Sequence, residues 1–352
     1  MLRTEFLEKL YIAEPALSDK DLIPVLSHFW FDGKELVAFN DQIAISVPCK
    51  STFTGAVPGK LLVNLMAKSK AKKVELLPEN DQLIVKAASS KIKLALLPEK
   101  SFDGIFEMPK VDKESQVPVD TASLVSALEN CLLSVGTDVS LPDQLGVTMI
   151  RDNKLLLFFS TNDVTFSNTI LGMKKKAKLP ERVILSTIFC KNLLVLAKGA
   201  KDCKLYVEED HTLFVADGVH LYGRTLHTDD PIPFVKIMQQ HLPKNYAAKF
   251  VSIPSKLRLV IERAMVIAES SVSNRATTIT VADGKMKFQS KSELGEITDS
   301  VMLSGHHGNV TTVLDPKLLR HACTEFDKIL LQEHCGILRK GDSIYMIASV
   351  GA

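Results

Sequence analysis

The sequence predicts an α+β chain of three tandem copies of one domain, each copy made of two halves in which a helix precedes antiparallel strands. Three observations carry this prediction. Apolar residues at helical spacing alternate along the chain with short strand pairs closed by polar turns. One helix-plus-hairpin unit occurs three times, starting at Val57, Leu185 and Leu314, with turns at Glu79-Asn80, Glu209-Asp210 and Lys340-Gly341, 130 and then 131 residues apart. The 352 residues, 46% apolar and 24% charged, suit three domains of ordinary size.

A second type of unit lies between these. EFLEKLYIAEPAL leads to the turn Asp32-Gly33 and the strand KELVAFN. TASLVSALENCLLSV leads to Asp152-Asn153 and KLLLFFS, and PSKLRLVIERAMVIAES leads to Asp283-Gly284 and KMKFQS. Each turn carries residues that tolerate the left-handed backbone of a tight hairpin. Polar, proline-bearing linkers fall near 110–118 and 241–249. The domains are therefore expected at 1–112, 113–244 and 245–352.

No run approaches the roughly 20 apolar residues of a membrane helix. Glu5, Glu8 and Glu14 stand where a signal peptide would have its apolar core, so a cytoplasmic protein is expected. Net charge is only +2, which excludes a uniformly basic coat but not cations gathered on one face. Six cysteines without a CxxC pair suit a reduced compartment rather than a disulfide scaffold. His321, Cys323, His334 and Cys335 have the chemistry of a zinc set. However, His321 and Cys323 point about 200° apart on a helix, and adjacent strand residues face opposite ways. No metal or other cofactor is expected.

Nor does the chain carry a phosphate loop, HExxH or GxSxG. Asp229-Asp230 beside His227 lies in a proline-flanked linker, whereas a nuclease needs clustered carboxylates to hold metal ions. A non-enzymatic protein is expected, with a DNA-processing nuclease and a scaffold that never encloses DNA as the rival classes.

The six half-domains, with DLIPVLSHFWFDGKELVAFNDQIAISV, HLPKN, LVIERAMVIAES and ADGKMKFQS, resemble the β subunit of DNA polymerase III, the replicative sliding clamp. The resemblance covers the whole chain and fits a host or a phage replisome. It implies a head-to-tail homodimer: a six-domain ring of DNA-clamp domains with helices lining the hole, tethering polymerase to DNA. Size arithmetic agrees. Domains of about 115 residues are roughly 34 Å across; three in a ring leave almost no hole and six leave roughly 34 Å. One chain cannot encircle a duplex, and two can.

Cations recur on helix faces turned away from the apolar stripes: Lys60 and Lys68, Lys191 and Lys198, Lys256 and Arg263, then Lys317, Arg320 and Lys328. They suit sequence-independent phosphate contact with double-stranded DNA, although any single lysine is explained by solvation alone. The helices at 4–13 and 120–134 show no such row. The runs KSKAKK (68–73) and KKKAK (174–178) fit DNA contact or plain solvation equally.

The resemblance also implies two protein contacts. The dimer contact falls on Phe102, Val266 and Ile267, which as apolar residues also read as ordinary core. The peptide-binding cleft, which takes short apolar segments of polymerase and clamp loader, falls on the second domain beside the chain's end. Its Thr-Asp-Gly-His-Arg-Leu element has a tempting match in Val-Ala-Asp-Gly-Val-His-Leu at 215–221, but repeat phasing assigns it to Thr161, Asn162, Asp163, Val164, Thr165 and Phe166. Pro233, Lys236 and Ile237 in a linker form the second wall, with Met346, Ile347, Ala348, Ser349 and Val350 from the tail. The family usually ends in Met-Pro-Met-Arg-Leu; its loss here implies a shallower cleft.

Overall fold

A computed structural model describes residues 1–18, 23–98, 109–242, 249–271, 275–304 and 308–350. Among these, one order recurs three times: a helix, four strands, a helix, three strands. The first round is α1 (Arg3–Ala13), β1 (His28–Phe31), β2 (Glu35–Phe39), β3 (Ile43–Pro48), β4 (Gly55–Pro58), α2 (Gly59–Lys68), β5 (Val74–Glu79), β6 (Gln82–Ala87) and β7 (Ser90–Ala95). The second is α3 (Thr121–Leu132), β8 (Gly146–Asp152), β9 (Leu155–Thr161), β10 (Thr165–Gly172), β11 (Arg182–Ser186), α4 (Thr187–Ala197), β12 (Cys203–Val207), β13 (His211–Ala216) and β14 (Val219–Leu226). A short helix α5 (Phe234–His241) and strand β15 (Val251–Ser252) intervene. The third is α6 (Leu257–Glu269), β16 (Thr277–Ala282), β17 (Lys285–Ser292), β18 (Gly295–Met302), β19 (Val310–Leu314), α7 (Pro316–Glu325), β20 (Lys328–Gln332), β21 (Cys335–Lys340) and β22 (Ser343–Ala348).

The turns explain why the strands pair as they do. Gly33, Asn80, Asn153, Asp283, Gly284 and Gly341 all have φ between 50° and 94°, the left-handed region that glycine and short polar residues enter most easily. The hairpin at Glu209-Asp210 closes without such a residue. Asp217-Gly218 and Ala88 also turn with positive φ, and Ala88 has no local sequence signal.

Two compact units emerge, one of residues 1–125 and 173–226 and one of 126–172 and 227–352, the division running through α3. In the first unit an antiparallel sheet runs β4-β1-β2-β3-β14; β11 and β13 also pair with β14, and β12 with β13. A second sheet is β5-β6-β7, leaving β7 as an edge. α1 buries Phe6, Leu10 and Ala13, α2 buries Leu62, Val63 and Met66, and α4 buries Phe189, Cys190 and Leu193. α4 lies close over β14 because Gly223 has no side chain.

In the second unit the order is β15-β20-β21-β22-β10-β9-β8, with a separate sheet β18-β17-β16-β19. β22 alternates faces, as a strand must. Tyr345 and Ile347 join a core with Leu257, Ile261, Phe288 and Leu319 from α6, β17 and α7. Ile344 and Met346 join a core with Phe159, Phe166, Phe234 and Ile337 on the other face.

A Cβ at Gly223 would overlap the Phe189 ring, at 2.9 Å from its Cγ and 3.1 Å from its Cβ. Gly223→Ala is therefore expected to destabilise by about 1–3 kcal/mol through overpacking, measured as a lower urea midpoint at unchanged slope.

Candidate nucleic-acid interface and peptide cleft

Within the first unit, α2 turns Leu62, Val63 and Met66 inward, so Lys60, Asn64 and Lys68 fall on its exposed side. On α4 the Ser186 side chain accepts a hydrogen bond from Phe189 N at 3.3 Å and caps the helix start. Lys191 is exposed on that helix, and Lys198 follows its last turn, also exposed.

In the second unit Asp315 caps α7, its Oδ1 accepting from Lys317 N at 2.7 Å. Lys317 is exposed and Arg320 half-exposed. Glu262 on α6 accepts from Arg320 Nε at 3.0 Å and from Arg258 Nε at 3.2 Å, tying α6 to α7. The hydrogen bond from Arg320, then that from Arg258, hold the Glu262 carboxyl below the usual range. Arg263 is held by Asp299 on β18, Nε to Oδ2 at 2.7 Å. Two of the nine cations read as DNA contacts are thus already engaged by carboxylates. Among the described residues Lys68, Lys191, Lys198, Lys256, Lys317 and Lys328 make no ion pair.

Lys328 corrects the sequence reading, which put it on the last helix. α7 ends at Glu325, because Phe326 is extended and drops its ring into the core, 5.7 Å from that of Tyr345. Lys328 opens β20 instead.

The residues read as a cleft all belong to the second unit, and they divide into floor and rim. Thr165, Phe166, Met346 and Ile347 are buried, with Phe166 paired to Met346 and Thr165 to Ile347 across β10 and β22. Thr161 is nearly buried too; its Oγ1 donates to Thr165 O at 2.8 Å. Asp163, with a left-handed φ of 68°, accepts from Gln144 Nε2 at 2.8 Å. Val164 and Val350 stand 49% and 46% exposed.

Pro233, Lys236 and Ile237, read as a plain linker, are the N-cap and first turn of α5. What positions this helix was missed. Phe234 stacks on Phe159 at 5.4 Å and lies 6.0 Å from Phe166. The buried Asp143 carboxylate accepts from Ile232 N at 2.8 Å and pins the entry to α5. An apolar residue every three to four positions from Phe234 to Met238 was the available signal. The tail is tied down as well: Ala348 N donates to Val164 O at 2.8 Å, Ser349 N to His334 O at 2.9 Å and Val350 N to Val313 O at 2.8 Å.

Of the residues read as a dimer contact, Phe102 lies outside the described residues. Val266 is 68% exposed, which removes it from the core, and Ile267 is partly exposed beside it on α6. Cys323 packs against one core of the second unit and Cys335 belongs to the other, while His321 and His334 are exposed. Burial pushes the Cys323 thiol up to about 12 and that of Cys335 up to about 11. At pH 8 both are protonated, so iodoacetamide is expected to leave them unlabelled in the folded protein and to label them fully in urea, read by peptide mass.

No protein-family model matches the chain. A curated protein of Streptococcus pneumoniae named beta sliding clamp is 22% identical over 314 residues, spanning 84% of this chain and 81% of that one. Among solved structures, the β subunit of DNA polymerase from Streptococcus pyogenes aligns over all of this chain and 99% of its own, with a TM-score of 0.85 at 18% identity. The DNA polymerase III β subunit of Thermotoga maritima aligns over 100% and 98%, with a TM-score of 0.84 at 16% identity. A DNA polymerase sliding clamp of Pseudomonas aeruginosa gives 0.83 at 15% identity over 100% and 99%. From end to end, this chain has the α+β fold of the DNA polymerase III β subunit, the sliding clamp.

Proposed function

We propose that the chain is a DNA sliding clamp, a non-enzymatic processivity factor of the cytoplasm that closes around duplex DNA as a homodimer and tethers the replicative polymerase. The observation that carries this reading is the full-length likeness in fold to sliding clamps, and each further assignment rests on it. The domains run 1–112, 113–244 and 245–352, so two chains supply the six domains that a ring wide enough for a duplex requires.

Ring closure joins the first domain of one copy to the third of the other. Two sheet edges support it. β7 carries exposed Lys91 and Lys93, and β18 carries exposed Glu296, so the edges are complementary in charge there and can continue one sheet across the contact. Exposed Val266, with Ile267, supplies apolar area nearby on α6. DNA is held through phosphates by Lys60, Lys68, Lys191, Lys198, Lys256, Lys317 and Lys328, while Arg263 and Arg320, paired with Asp299 and Glu262, brace the helices that present them. Such contacts read no bases and permit sliding.

The polymerase and loader dock short apolar peptides on the rim formed by Val164, Pro233, Ile237 and Val350, over the floor of Phe166 and Met346. Phe234 fills part of the space beneath α5, in keeping with a shallow cleft.

Sizing and DNA retention test the ring. The protein is expected to sediment at twice the chain mass and, once closed on DNA, to stay on circular duplexes and slip from linear ones. Ile267→Asp is expected to give folded monomers that stay on neither. A monomeric wild type, equal retention on both, or cleavage of the DNA would refute the reading. The peptide site is tested apart from the fold, since Val164 and Val350 are exposed. Val164→Ala/Val350→Ala is expected to weaken binding of a polymerase-derived apolar peptide at least tenfold, at unchanged dimer mass and urea midpoint. Unchanged peptide affinity would move the docking site elsewhere.

A further inference from the structure

We propose that Arg3, Lys68, Lys70, Lys72 and Lys73 form a phosphate-gripping patch that holds duplex DNA where α2 ends, a reading that rests on the sliding-clamp function above. In sequence Arg3 is remote from the lysines, and the fold brings them together. Leu2 forms an antiparallel bridge with Lys73, Arg3 N donates to Lys72 O at 3.1 Å, and Val74 N donates to Met1 O at 3.1 Å. Arg3 Nη1 reaches across to Met66 O in the last turn of α2, at 3.2 Å. Met1 and Leu2 thus pair with residues 73–74 immediately before α1 begins at Arg3, with the end of α2 next to them.

Two structural duties account for part of this charge. A cation at the end of α2 meets unpaired carbonyls and the negative end of the helix dipole, which explains Arg3 and Lys68. Lysines also guard open sheet edges, but the start of β5 is already covered by Met1–Arg3. Neither duty needs Lys70, Lys72 and Lys73. All three are exposed, and among the described residues none of the five cations makes an ion pair. Glu5 on α1 and Glu75 on β5 are the carboxylates beside them in sequence, and both are exposed. Lys70, Lys72 and Lys73 are near neighbours in sequence and Arg3 N meets Lys72 O at 3.1 Å, so repulsion among them, screened over roughly 10 Å at 0.1 M salt, falls when a polyanion replaces diffuse counterions.

The occupant is duplex DNA because the patch continues a row. Lys60, Asn64 and Lys68 recur every four residues along the exposed side of α2, a track of about 12 Å that runs straight into it. Lysine and arginine offer donors only, matched to phosphate oxygens and indifferent to sequence.

The test uses the full chain carrying Lys70→Ala/Lys72→Ala/Lys73→Ala, beside the three single alanine variants and a triple arginine variant. Affinity for a short duplex of random sequence is measured across a range of salt. The slope of log affinity on log salt is expected to become shallower by about 2–3 in the triple alanine variant, by about 0.9 in each single, and to keep its wild-type value with arginine. Dimer mass and urea midpoint should not move. An unchanged slope in variants of a wild type that binds duplex would overturn the patch and leave the clamp reading standing. A wild type that binds no duplex at low salt would instead overturn the clamp reading, and the patch with it. A loss confined to single-stranded oligo-dT, or to an acidic peptide such as poly-glutamate, would overturn the assignment of duplex as the occupant.

Discussion

The second unit depends on one ladder, the antiparallel pairing of β10 with β22 from Thr165–Ile347 to Thr169–Ser343. It joins segments 182 residues apart at Thr165–Ile347, and both strands are buried on both faces. Because side chains alternate, a slip of one residue would exchange Tyr345 and Ile347 with Ile344 and Met346 and empty both cores. Asn130 locks the register from a third element: its Nδ2 donates to Asn168 O and Thr169 Oγ1, both at 2.9 Å. One face of the ladder then receives α6 and α7, the helices bearing the cations. The other receives α5, whose Phe234 closes the floor of the candidate cleft. The same strand thereby positions both candidate sites of this unit.

Much of this was legible in residue spacing. The six-fold alternation of helix and hairpin follows from apolar period and turn residues, and five of the six turns read from sequence contain a left-handed residue at or beside the predicted place. The failures have specific causes. Lys328 left its helix because Phe326 is drawn into the core, a tertiary demand that outweighs the helical spacing of its neighbours. α5 went unread because Pro233 and the acidic residues before it look like a linker, while the helix is held by the aromatic stack on Phe159 and by Asp143, neither of them near it in sequence. Arg3 was passed over because its importance arises only when the first residues pair with 72–74.

The candidate sites differ in how far sequence reaches them. Cation rows are a local, periodic feature of each helix, so exposure could be inferred from the apolar residues opposite. A cleft is built from three separated segments, and spacing carries no information about which of its residues face outward. Hence Phe166 and Met346, read as wall and tail, are floor, whereas Val164 and Val350 stand at the rim.

The split among the cations has a mechanical sense on the clamp reading. Arg320 and Arg263 are spent on Glu262 and Asp299, and so stiffen α6 against α7 and against β18. Their planar forks suit fixed geometry. Lys68, Lys191, Lys198, Lys256, Lys317 and Lys328 remain, each a point charge on a flexible stem that exchanges one phosphate for the next without losing an ion pair. A ring that must stay on DNA yet move along it needs many such weak contacts, because a few strong ones would raise the barrier to each step. Chain-wide near-neutrality, at a net charge of +2, serves the same end: attraction is confined to the faces where lysines stand, and the rest of the surface does not hold the duplex.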